Sequence, residues 1–291
     1  MKLLEEKLSI WWVRVIAYML IAVVLYVILN SLVVDSNYFA LTLCMIALLP
    51  NVIIEALRTT NKFYLFGIMV NSLTLKEILM GIVLALMNII FVLLLAFAMN
   101  GNQLNYNFFF DNSVLFLLID FLLLASFEEF LFRGEIFQSF YEKFGKIISV
   151  VIFSLLFSIV HFDHLLFNWI FFINLFLGGV VLSLMYLQTR SLWLPISFHF
   201  CWNIMQQLFL GSNVSGNYSS IYFVDIRISE LNSIFYGGEL GIEGGLVTSL
   251  IMIINIIIVL KFAKTSPYIN SKLFKRYYAE SELLYNKSLK K

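Results

Sequence analysis

Eight runs of about twenty apolar residues leave this 291-residue chain few ways to fold. Inside a bilayer every backbone N–H and C=O must find its partner within the protein, which permits helices or a closed barrel. The runs cover about 15–34, 38–57, 78–99, 114–134, 147–165, 168–188, 193–211 and 245–263. Each suits a helix crossing a hydrocarbon core of about 30 Å, whereas a barrel would show alternating segments of roughly ten residues. The expected fold class is therefore all-α, a polytopic membrane helix bundle of about eight transmembrane helices. With 61% of residues hydrophobic and 13% charged there is no room for a sizeable soluble domain. The formal charge of +1 is not gathered into a basic patch, which argues against a nucleic-acid partner. Cys44 and Cys201 both lie in apolar runs, so neither a disulfide framework nor a CxxC metal site is on offer.

Charge sorting gives the expected sidedness. An even number of spans puts both ends on one side, and the segment from Lys264 holds seven Lys/Arg against Glu280 and Glu282. Placing both termini in the cytoplasm puts 18 of the 19 basic residues on inner segments, leaving Arg227 outside. The first run, with Trp11, Trp12 and Arg14 at its entrance and no small-residue cleavage site, reads as a retained signal-anchor helix. The chain divides into N-terminal transmembrane helices (1–111), a catalytic helical bundle (112–263) and a basic tail (264–291) suited to an anionic inner leaflet.

Ionisable groups within spans are costly, roughly 2.5–3.5 kcal/mol on insertion scales, and usually face a partner or a wet cavity. Three patterns concentrate them here: Glu128-Glu129-x-x-x-Arg133, Phe157-x-x-x-His161 and His199-x-x-x-Asn203. Glu129 and Arg133 are i, i+4 neighbours with the acid N-terminal, the favourable order for an ion pair. Glu128 is rotated about 100° away and so is free to act as a base. An ordinary charge cluster at a helix end, with Glu135, Glu142, Lys143 and Lys146 following, is the bland alternative. His161 is a second candidate, set against a satisfied structural histidine. His199 and Asn203 place two donors on one helix face, as a tetrahedral oxyanion needs or as interhelical bonding would use. Asp120 could line a cavity or orient a neighbour, and Asn88, Asn174 and Asn255 suit interhelical bonding. Gly178-Gly179 permits close packing, and Pro50 is expected to kink the second span. If the fourth span starts near Val114, Glu128 and His161 miss each other by about 12 Å along the membrane normal. The expectation that reconciles them is a long, tilted fourth helix running on through Phe137 and Phe140.

In this order and spacing the three patterns resemble the CAAX prenyl protease and bacteriocin-processing family, also called Abi or CPBP. The segments Thr189–Ile196 and Phe235–Gly244 resemble it too, and the likeness spans about residues 112–262. The resemblance implies an eight-helix intramembrane glutamate endopeptidase. In it Glu128 with His161 would activate water, His199 with Asn203 would hold the oxyanion, and Glu129 and Arg133 would buttress them. The expected partners are membrane lipid and a peptide or protein substrate; the expected location is a cell membrane, bacterial plasma membrane favoured. No cofactor is favoured; Zn2+, held by Glu128, His161 and His199, is the alternative, against which stands the lack of a His-Glu-x-x-His helix. Bacterial peptide or bacteriocin maturation, or self-immunity, is favoured over CAAX-type processing. A catalytically silent scaffold or immunity protein of the same fold is the rival.

Overall fold

The computed structural model describes residues 7–8, 10–32, 38–58, 67–100, 105–106, 112–161, 168–215, 221–225 and 232–262. They form an all-α membrane helix bundle. Its long helices are α1 (Trp11–Leu32), α2 (Phe39–Arg58), α3 (Thr74–Asn100), α4 (Asn112–Arg133), α5 (Glu135–Val160), α6 (Trp169–Thr189), α7 (Trp193–Met205) and α8 (Leu246–Phe262). A π-helical turn, Gln206–Leu210, prolongs α7, and short turns at 233–244 lead into α8. The basic tail lies outside the described residues.

Four helices are long and apolar enough to cross a membrane by composition: Trp11–Leu32, Phe39–Arg58, Thr74–Ala98 and Trp169–Thr189. By contrast α4 carries Asp120, which is exposed, and Glu128, Glu129 and Arg133, charges that partners inside the bundle make tolerable. Helix α3 packs along α7, α2 against α4, α5 against α6, and α6 against α8; α1 rests on α2 and α5. The outward face of α1 is hydrophobic from Ile16 to Ile28, with Leu20, Val23 and Val27 exposed, as a lipid-facing helix requires.

The expected long fourth helix is corrected in one respect. Helix α4 stops at Arg133, and the chain breaks at Gly134 before helix resumes through Phe137 and Phe140 as the first limb of α5. A break within the bilayer frees backbone groups that must be re-satisfied. Asn51 does this: its Nδ2 donates to Phe130 O at 3.1 Å and its Oδ1 accepts from Glu135 N at 2.6 Å. Gly134 is required there, because a Cβ would lie 2.3 Å from Phe130 O and 2.4 Å from Asn51 Oδ1.

The reversal comes at Gly145, whose φ of 78° and ψ of −177° interrupt α5. Phe137 and Phe140 both lie edge-on to Phe153, with ring centroids 5.2 and 5.4 Å away, and Phe132 meets Phe157 at 5.4 Å. The two limbs therefore run as a hairpin. Glu128 precedes Gly145 by seventeen residues and His161 follows it by sixteen, so both sit about 25 Å from the turn. The 12 Å mismatch disappears because the chain turns at Gly145 rather than after Gly134.

Around the first limb, Arg14 and Arg58 clasp the buried Glu135, at 2.7 and 3.0 Å, and reach Glu142 as well. Glu135 and Glu142 are thus buried or half-buried partners of α1 and α2, not a loose cluster at a helix end. The close packing expected of Gly178-Gly179 belongs to Gly179, where a Cβ would lie 2.8 Å from Ser154 Cα. Gly178 has open space around it. Asn174 does bond between segments, donating to Glu243 O and Gly245 O, both at 2.8 Å. Both amide atoms of Asn255 and Nδ2 of Asn88 lack a partner among the described residues, so interhelical bonding does not explain them. Asp120 is exposed on α4 and takes no part in the site.

Candidate active site

The last turn of α4 places Glu128 and Glu129 on different faces. Glu129 is fully buried, and its Oε1 accepts from Arg133 Nη1 at 3.1 Å, the i, i+4 pair. Arg133 also donates from Nη2 to Gly179 O at 3.2 Å, and its guanidinium lies 5.0 Å from the Phe157 ring centroid. The arginine thus fastens α4 to α5 and α6 at once. Bonds to a carboxylate and a backbone carbonyl, with an aromatic face beneath, offset part of the cost of burying the guanidinium, whose Nε has no partner among the described residues.

Glu129 has a second task that sequence alone did not reveal. The same Oε1 accepts from His199 Nδ1 on α7, at 3.0 Å. A carboxylate cannot donate, so Nδ1 carries the proton and Nε2 is turned outward. His161 is held by the same logic: its Nδ1 donates to Phe157 O at 2.7 Å, and its ring lies against Phe157, centroids 4.7 Å apart. Both histidines are anchored at Nδ1 and present Nε2 to one carboxylate. His161 Nε2 lies 3.7 Å from Glu128 Oε1, and His199 Nε2 lies 3.7 Å from Glu128 Oε2. These separations exceed a hydrogen bond. Glu128 therefore faces two imidazoles without being locked to either, and its side chain is 19% exposed where that of Glu129 is wholly buried.

Asn203 lies one turn beyond His199 and lines the same small cavity, about 40 Å3, with Phe157, His199 and Glu243. Five of the six sequence-selected residues, Glu128, Glu129, Arg133, His161 and His199, are thus joined by direct contacts, and Asn203 joins them through the cavity wall. Among the described residues no group of three His, Cys, Asp or Glu side chains is arranged to hold a metal ion.

Sequence reasoning gave Glu243 no role beyond an acidic outer loop. Its Oε1 accepts from Trp202 Nε1 at 3.1 Å and Gln206 Nε2 at 3.2 Å, and its Oε2 accepts from Ser215 N at 2.9 Å. Two of these donors flank Asn203 on α7, so Glu243 fixes the rotation of the helix that carries His199 and Asn203. The glycine-rich run around it, Gly237-Gly238 to Gly244-Gly245, was the available signal: a loop that must fold tightly against helix ends.

No curated protein matches the chain. Residues 110–205, which include α4 to α7 and all three motifs, match the family described as type II CAAX prenyl endopeptidase Rce1-like. The motif-based resemblance is borne out over that stretch, about a third of the chain, which is similar to the Rce1-like family.

Proposed function

We propose that this chain is an intramembrane endopeptidase in which Glu128 activates water against a peptide bond of a membrane-associated substrate. The observation that carries the reading is the pair of imidazole Nε2 atoms, each 3.7 Å from a different oxygen of Glu128. Bare ring nitrogens would repel an ionised carboxylate, so this space suits a species that brings protons, namely a water or a charged imidazole. In the proposed cycle Glu128 takes a proton from water, and the hydroxide adds to the carbonyl carbon. The oxyanion is met by the Asn203 amide and by His199. Because Nδ1 of His199 already donates to Glu129, its Nε2 donates to an oxyanion only as the imidazolium, which Glu129 stabilises. The C–N bond then breaks, and the amine leaves with the proton held by Glu128, relayed by His161. Arg133 holds the Glu129 carboxylate in place.

The chain composition, rich in Phe, Ile, Asn, Lys and Tyr, favours a bacterial plasma membrane and processing of a bacterial peptide, bacteriocin or immunity substrate over prenylated tails. The charge sorting supports cytoplasmic placement of both termini. The experiment is hydrolysis in H2 18O by the reconstituted protein, using a library of apolar peptides. One 18O in each new C-terminal carboxylate, with products lost in Glu128→Gln, supports the reading; products persisting at wild-type rate in Glu128→Gln reject it.

A further inference from the structure

A groove of about 560 Å3, to whose lining Glu128 does not contribute, is walled by α3, α6, α7 and α8. Its floor is made by Met185, Leu194 and Val259, all buried, and its rim by α3. Every lining residue is apolar except Ser72, in the turn before α3, and Lys76, in its first turn, both exposed. Lys261, near the end of α8, follows three residues after the lining residue Ile258. The groove is therefore amphiphilic along its length, polar at one end and hydrocarbon beyond.

Its dimensions match one leaflet. From Lys76 to Met87, the last lining residue of α3, the helix rises about 16 Å, against about 15 Å for half of a 30 Å core. We propose that this groove holds one acyl chain of an anionic glycerophospholipid, with its phosphate at Lys76 and Ser72. Charge favours that occupant over the chain's own tail: residues 264–291 carry seven Lys/Arg against two Glu and are repelled by Lys76. Leu194 stands five residues before His199 on α7, so a chain seated here supports the helix that carries the site.

The test uses the purified full-length protein in detergent, titrated with dioleoyl phosphatidylglycerol or phosphatidylcholine and read by native mass spectrometry and thermal unfolding. One phosphatidylglycerol retained per chain, with a raised midpoint and weaker phosphatidylcholine binding, is expected. Lys76→Gln should weaken phosphatidylglycerol about fivefold, as expected for one surface lysine, and weaken the zwitterionic phosphatidylcholine less. Val83→Trp should expel both lipids, and since Val83 is 52% exposed the bulk is accommodated without disturbing the core. Retention of several lipids untouched by Val83→Trp, or equal wild-type affinity for both headgroups, would overturn the proposal. So would binding that appears only after residues 264–291 are removed, since the tail would then be the occupant.

Discussion

Arg133→Ala removes one partner of a fully buried ion pair and leaves Glu129 ionised beside a single histidine. Breaking such a pair costs about 3–5 kcal/mol, because the remaining charge keeps its desolvation penalty without its compensation. The loss of the Gly179 O acceptor bond and of the Phe157 contact falls on the same change. For a chain of this size that corresponds to a fall in the unfolding midpoint of roughly 6–20 °C. The two cysteines, Cys44 and Cys201, are both buried, so a thiol-reactive dye reports unfolding directly. Replacing both charges, Glu129→Gln with Arg133→Met, should recover most of the stability, since no buried charge is then stranded. It should not recover activity, because His199 loses the ionised partner that holds its imidazolium. A single variant melting within about 2 °C of the wild type, or a double variant no better than the single, would refute this account of the pair.

The break at Gly134 and the turn at Gly145 predict different outcomes for the same substitution. Gly134→Ala drives a Cβ into Phe130 O and Asn51 and should severely reduce the folded yield, whereas Gly145→Ala meets open space and costs only its backbone conformation, about 1–3 kcal/mol. Thermal unfolding of the two variants side by side checks the order. Asn203→Ala should lower kcat by about 10²–10³ with little change in midpoint, since its side chain lines the cavity beside His199. Glu243→Ala should lower kcat while Glu243→Gln, which keeps an acceptor for Trp202 and Gln206, restores most of it. Metal analysis of active protein separates glutamate-activated water from zinc chemistry: the expected result is no stoichiometric Zn2+ and no loss on chelation. A reporter fused after Lys291 should be active only on the cytoplasmic side.

The helices were legible because the bilayer demands long apolar runs, and α1, α2, α3 and α6 follow those runs closely. The Glu129–Arg133 pair was legible because it is local, one turn apart on one helix. What the sequence hid is what depends on distant elements. Gly134 sits between Arg133 and Glu135 in a stretch that resumes as helix, and its need becomes visible only with Asn51, more than eighty residues earlier, against it. Arg14, Arg58, Glu135 and Glu142 each look like an inner-face charge, and only the packing of α1 and α2 on α5 makes them a buried network. The second bond of Glu129, to His199 seventy residues on, is equally non-local. Glu243 lay hidden for the same reason, since nothing in a loop acid's neighbourhood announces the indole and amide that bind it.

The central claim is that Glu128 turns this bundle into a peptidase. The direct measurement is a comparison of new peptide termini in membranes of cells making the wild type or Glu128→Gln at equal protein level. The account predicts cleavage sites in or beside apolar segments of membrane-associated polypeptides that appear with the wild type and vanish in the variant. An identical set of termini from both would contradict it.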